Sequence, residues 1–262
     1  MVASPVLRRS LFAVLCTFSA GLCADTISIR ADEWLPYNGP TTKKPPGYMI
    51  ELAEKIATAN GHSIAYATMP WEDAVSAVRR GAHDCVVGAL KSDAEDFAFP
   101  AESWGESQSA FYVLDDTQWR YSGIDSLANM RLAVIEGYSY SDEIDAYVEA
   151  NKADPAKIVM VSSAGRAQMN AMSRLVSKKA DVFIEDINVA KQTIARLNLA
   201  GRVVMADIAT ESDTLYIACT PADPRGKRYA EMFSAGIAKL RASGELATIL
   251  DKYNLSDWVA TE

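Results

Sequence analysis

Residues 71–100 carry the strongest chemical signal in the chain. Trp71 stands before a short helical pattern, a turn follows at Gly81, and a buried-strand run stops at Gly88 ahead of the polar stretch Lys91-Ser-Asp-Ala-Glu-Asp96. An aromatic ring before a helix and a polar loop at the carboxyl end of a strand together describe a small-molecule cleft, because ligands of α/β sheets bind outside those strand ends. A second candidate closes the apolar run Val182-Phe-Ile184: the acidic pair Glu185-Asp186, of which Asp186 reads either as a ligand-facing carboxylate or as a helix N-cap. Other chemistries find little support. His62 and His83 lie far from any His-x-x-x-His or Cys-x-x-Cys spacing, so no metal site is expected. Gly137-Tyr-Ser-Tyr-Ser141 lacks the second glycine of a nucleophile elbow, and no histidine follows it. No glycine-rich phosphate loop is present, and no cofactor is expected.

The elements that must position these residues follow from periodicity. Strands are expected at 26–31, 63–68 and 84–89, with helices at 48–59 and 72–80 between them, a β-α-β-α-β unit. A strand at 108–114 leads out of it. The pattern then restarts, with strands at 131–135, 157–161 and 181–184 and helices at 142–151 and 166–178. A helix at 187–197, a strand at 202–205, a returning strand at 214–219 and two amphipathic helices with Tyr229, Phe233, Ile237, Leu246 and Leu250 complete the chain. Those last helices are expected to cover the first sheet. The resulting division is a leader at 1–24, a first lobe at 25–113, a second at 114–213, and a return segment of the first lobe at 214–262. Two lobes of about 100 to 130 residues suit this length.

Compartment and charge narrow the partners. Arg8 and Arg9 precede an apolar run ending near Leu22, the pattern of a secretory signal peptide, so the mature chain is expected to start near Asp25 and to be soluble in the periplasm. Leu22 before Cys23 speaks against a lipid anchor there. The chain holds 26 basic and 34 acidic residues, and the leader removes two basic ones and no acidic one. Nucleic acid is therefore excluded as a partner. Cys85 and Cys219 remain after the leader; in an oxidising compartment they read equally well as one disulfide or as two buried thiols.

In order behind such a leader, Trp34-Leu-Pro-Tyr37, Gly47-Tyr-Met-Ile-Glu-Leu-Ala-Glu-Lys-Ile-Ala57, the 71–89 block, Arg131-Leu-Ala-Val-Ile-Glu-Gly137 and Lys179-Ala-Asp-Val-Phe-Ile-Glu-Asp186 resemble the periplasmic solute-binding proteins of family 3, receptors of polar amino-acid ABC transporters. The resemblance covers essentially the whole mature chain. It implies an α/β, two-lobed fold of the type II periplasmic-binding kind, with two hinge crossover strands and a ligand between the lobes. Carried over position by position, it implies aromatic contacts from Tyr37 and Trp71, with Trp34 as core or rim. It also implies a first-lobe loop at Gly88, Leu90, Ser92 and Glu95, a second-lobe turn at Tyr138 and Ser139, and an ammonium-binding carboxylate at Asp186. The turn's N–H groups could accept an anion, while Ser139 with Asp142 also has capping-box spacing.

One departure bears on the ligand. The family's loop ends in an arginine that grips the solute's carboxylate, and this chain has none between Gly88 and Asp96. Either another cation substitutes, Lys91 or Arg166 being nearest, or the solute is not a standard α-amino acid. Glu95, Asp96, Glu136, Glu185 and Asp186 all fall at expected strand ends, which favours an amine or basic solute. The expected function is thus a monomeric, non-enzymatic receptor that binds a small polar solute, amino acid-like or amine, and delivers it to the membrane permease of an ABC transporter. The alternatives are a sensor input to a membrane signalling protein and an enzyme resembling cyclohexadienyl dehydratase, for which Glu185, Glu136 or Glu95 would act as the acid.

Overall fold

Ile27, Ile29 and Ala31 alternate with half-exposed neighbours, and this period of two makes Thr26–Ala31 (β1) a strand with one face in a core. The computed structural model describes residues 24–42 and 45–259; Cys16, Cys23 and all but the last residue of the expected leader lie outside them. From β1 the chain runs through Tyr48–Ala59 (α1), Ser63–Thr68 (β2), Trp71–Arg79 (α2) and Cys85–Ala89 (β3). β1 lies parallel to both β2 and β3, as a β-α-β-α-β unit requires. After Gly105–Ser107 (β4) come Ser109–Leu114 (β5), Leu132–Ile135 (β6), Asp142–Asn151 (α3), Ile158–Val161 (β7), Ala167–Val176 (α4), Val182–Asp186 (β8), Ile187–Arg196 (α5) and Val203–Ile208 (β9). Asp213–Cys219 (β10), Pro224–Ala242 (α6) and Glu245–Asp251 (α7) end the chain.

Two five-stranded sheets result, ordered β2-β1-β3-β10-β4 and β7-β6-β8-β5-β9. Each is parallel at one end and carries one antiparallel strand, β10 or β5, next to its third parallel strand. The strand expected to lead out of the first lobe is therefore part of the second: β5 pairs antiparallel with β8 and β9. The first segment of the first sheet ends at Ser107, not at 113. Ala110 to Leu114 is buried throughout, and such a run fits the interior of either sheet, so only its distant partners decide. The chain crosses between sheets at 107–109 and returns at 208–213. β4, three residues without periodicity, has no counterpart in the sequence reading.

α6 and α7 pack on the first lobe through Tyr229, Phe233, Ile237, Leu246 and Leu250. At Gly236 the α6 backbone lies so near α1 that a Cβ would meet Ile56 Cγ2 at 2.4 Å, which restricts this position to glycine. Cys85 and Cys219, directly opposite on β3 and β10, are joined in a buried disulfide, which decides between the two readings left open. It closes a loop spanning the whole second lobe. No described helix is long and apolar enough to cross a membrane.

Candidate functional site

The carboxyl ends of the central strands of both sheets meet around one partly open space of about 60 Å³. β1 delivers Asp32, Trp34 and Asn38 through a tight loop in which Trp34 N–H donates to the Asn38 carbonyl at 2.7 Å and the Asn38 amide reaches back to the Asp32 carbonyl. α2 places Trp71 at its first position, 7% exposed. β3 ends in Gly88, whose φ of 82° favours glycine and whose missing side chain leaves room for Asn38 Oδ1. Beyond it stand Leu90 and Asp93. The second lobe contributes Tyr138, Ser139 and Tyr140 from the loop after β6, and Glu185 from the end of β8.

The lobes touch across this space. Trp34 Nε1–H donates to Glu185 Oε1 at 3.0 Å, and the Tyr138 hydroxyl donates to Asp32 while accepting from Gln168 Nε2 at 2.9 Å. Three carboxyls, Asp32, Asp93 and Glu185, line the cavity, and none of its described lining residues is basic. Burial pushes Glu185 up to about 8 against the help of the Trp34 indole and the Asp186 N–H, with Asp186 and Asp32 adding repulsion. Burial likewise raises Asp32 to about 7 and Asp93 to about 6. Two buried acceptors, Glu185 Oε2 and Asn38 Oδ1, have no hydrogen-bond partner among the described residues. Buried acceptors left unpaired cost on the order of 1 to 3 kcal/mol each. A ligand carrying N–H groups and positive charge relieves both the acceptors and the carboxyl repulsion.

Trp71, Gly88, Leu90, Tyr138 and Ser139 thus lie on the cavity wall, as do Trp34 and Glu185. Four other candidates do not. Tyr37 is 1% exposed and stacks behind Trp34 at 4.4 Å between ring centroids, so Trp34 holds the aromatic place. Ser92 and Glu95 are exposed, because the turn Lys91–Asp93 rotates Asp93 inward, where its carboxylate accepts the Leu90 N–H at 2.8 Å. Asp186 lies behind the wall. Its Oδ1 caps α5 by accepting the N–H groups of Asn188 and Val189 at 2.8 and 2.9 Å, and its Oδ2 accepts from the Ser107 and Tyr37 hydroxyls at 2.9 and 3.0 Å. Of its two readings, the cap is the one its geometry matches.

The substitute cations are also elsewhere. Exposed Lys91 sits over the Tyr216 ring at 5.0 Å, and Arg166 is exposed at the start of α4. In the second-lobe turn the Tyr138 N–H donates to the Ile135 carbonyl at 3.2 Å, and Asp145 accepts the Tyr140 N–H at 3.0 Å and the Ser139 hydroxyl at 2.6 Å. Ser141, not Ser139, caps α3. The lining residues that sequence reasoning did not single out are Asp32, Asn38, Val87, Asp93, Ser107, Ser109, Tyr140 and Leu215. For Asp32 a signal existed: it directly follows the carboxyl end of the first, strictly alternating strand.

Two lobes, each with ligand-facing strand ends, joined by paired crossings and closing on one polar cavity, define a two-lobed binding protein. The chain matches the model of the bacterial extracellular solute-binding proteins, family 3, over residues 27–256, and it belongs to that family. No curated protein matches it in sequence. Among solved structures it is similar to a histidine kinase sensor domain with similarity to periplasmic binding proteins, at 21% identity over 87% of this chain and 95% of that one, TM-score 0.70. It is also similar to an ancestral arginine-binding protein bound to arginine, at 17% identity over 88% and 98%, TM-score 0.71. A third is an amino acid ABC transporter substrate-binding protein from Streptococcus pneumoniae bound to L-arginine, at 18% over 88% and 94%, TM-score 0.67. At these identities the likeness establishes the α/β two-lobed fold.

Proposed function

We propose that this solute-binding protein is a monomeric periplasmic receptor that closes its lobes on a small, amine-bearing polar solute and hands it to the permease of an ABC transporter. The observation that carries the reading is the acidic cavity between the lobes with its two unpaired acceptors. Hinge closure in such a protein is driven by contacts made in the closed state alone. Trp34–Glu185 and Tyr138–Asp32 are contacts of that kind, since each joins one lobe to the other. Delivery to a transporter rests on the family match and on the transporter-associated neighbour.

The likeness to a histidine kinase sensor domain supports a second reading, in which the same closure is read by a membrane signalling protein. A dehydratase acting on prephenate finds less support. That substrate carries two carboxylates, and a cavity lined by three carboxyls and no described base offers them no partner. The test is a thermal-shift screen of amino acids, amines, polyamines and small carboxylates. A solute bound only by the folded form stabilises it by about 2.7 kcal/mol at a hundredfold excess over Kd. Amine-bearing solutes are expected to raise the melting temperature, and a screen in which only carboxylates do so contradicts the proposal.

A further inference from the structure

The cleft's wall limits the solute more sharply than its family does. Around the cavity stand four aromatic residues, Trp34, Trp71, Tyr138 and Tyr140, together with Leu90 and Leu215. Trp34 and Tyr138 meet edge to face at 6.4 Å between centroids, so they form a corner rather than a stack. Such faces attract a cation and cover its alkyl part. The negative charge comes from both lobes, Asp32 and Asp93 from the first and Glu185 from the second, while Lys91 and Arg166, the two substitute cations named above, are exposed. A solute carboxylate placed here would face three carboxyls with no compensating charge among the described lining residues, a penalty of several kcal/mol for a buried ion.

The two orphaned acceptors set the other half of the chemistry. Glu185 and Asn38 are each 1% exposed, and both line the cavity, yet Glu185 Oε2 and Asn38 Oδ1 accept nothing. They come from opposite lobes, so a donor satisfying both stabilises the closed arrangement. A quaternary ammonium has no N–H for them. The space of about 60 Å³ between the lobes suits a small solute. Among the described residues no group of three or more potential ligands converges as a metal ion requires.

Building on the receptor reading above, we infer that the solute is a compact primary or secondary ammonium ion without a carboxylate, its N–H groups on Glu185 Oε2 and Asn38 Oδ1 and its alkyl part against Trp34, Trp71 and Leu90. Binding then carries a proton linkage. Glu185 faces Asp32, Asp186, Tyr112, Tyr138 and Tyr140, and Asp32 faces Glu33, Asp93, Tyr66 and Tyr138. Asp93 in turn faces Asp145 and Asp213. Among the described lining residues no cation holds these carboxyls ionised, so protons and the ammonium ion compete for the cleft and affinity falls as the pH drops.

Isothermal titration of the mature protein with n-propylamine, tetramethylammonium and L-alanine tests this. The expected order is n-propylamine tightest, the other two weaker by about tenfold or more, with n-propylamine weakening between about pH 8.5 and about pH 6. Glu185→Gln is expected to weaken n-propylamine on the order of 100-fold, while Glu95→Gln, outside the cavity, leaves it unchanged. If Glu185→Gln does not fold, the ranking and the pH trend in the wild-type protein decide. L-alanine or tetramethylammonium binding as tightly as n-propylamine, or no binding of n-propylamine, overturns the inference. An amino acid that binds well would leave the receptor reading intact, whereas a protein that responds to no small solute at all would remove both.

Discussion

Glu185 and Asp186 are neighbours on one strand and do opposite work. Asp186, at the hinge, has both oxygens occupied: two backbone N–H groups of α5 on one, two hydroxyls on the other, one of them from Tyr37 in the first lobe. Its carboxylate belongs to the architecture. Glu185, one residue earlier, receives the Trp34 indole and the Asp186 N–H on Oε1 and nothing on Oε2. Burial raises both carboxyls, and at the hinge it is opposed by the hydrogen bonds from Val189, Ser107, Tyr37 and Asn188. Of these two neighbouring acids, the one with an unpaired oxygen lines the gap between the lobes, and the one whose oxygens are both bonded lies in the joint.

Substitutions can break that contrast apart. The largest loss of stability is expected away from both residues. Replacing Cys85 and Cys219 by serine removes a crosslink spanning 134 positions, on the order of 4 to 5 kcal/mol by chain entropy alone, seen in urea melts. Solute response per folded molecule should survive, since neither cysteine lines the cavity. Asp186→Ala comes next, with about 2 to 4 kcal/mol lost through the α5 cap and the stranded Tyr37 and Ser107 hydroxyls. A near-neutral melt for Asp186→Ala would mean that its bonds are not those of the hinge. Glu185→Gln should change unliganded stability by less than about 1 kcal/mol, while abolishing the thermal shift produced by an amine. Reversed effects for the two acids would erase the distinction.

Much of this architecture was legible from residue patterns, and the failures have physical causes. Period-two alternation, continuous apolar runs and period-3.6 signals mark the strands and helices of both β-α-β-α-β units, because each element buries one face or is covered on both. The strand β5 was assigned to the wrong sheet since its evenly apolar residues contain no record of their partners. Of the candidates taken from strand ends and the loops beside them, Trp71, Gly88, Leu90, Tyr138 and Ser139 lie on the wall of the interlobe cavity. It was one residue off at the acidic pair, because adjacent strand positions face opposite ways and only the cap on α5 fixes which acid faces the cavity. Ser92 and Glu95 were lost to a single turn that swings Asp93 inward instead. Asn38 has no sequence signature at all; its exposure to the cavity depends on the missing side chain at Gly88.

Small-angle scattering of the mature protein against pH and solute tests the central claim most directly. Closure places Asp32, Asp93 and Glu185 where they ionise at about 7, about 6 and about 8, above the ordinary carboxyl range of about 4. The closed form therefore holds protons more strongly than the open one: its advantage is complete below about pH 4 and is lost as the pH rises through 6 to 8. The account predicts a radius of gyration that grows between about pH 5 and about pH 9 without solute, and that contracts again at the higher pH when n-propylamine is added to the wild-type protein but not to Glu185→Gln. A radius that ignores both pH and amine, or that contracts equally in the variant, would contradict it.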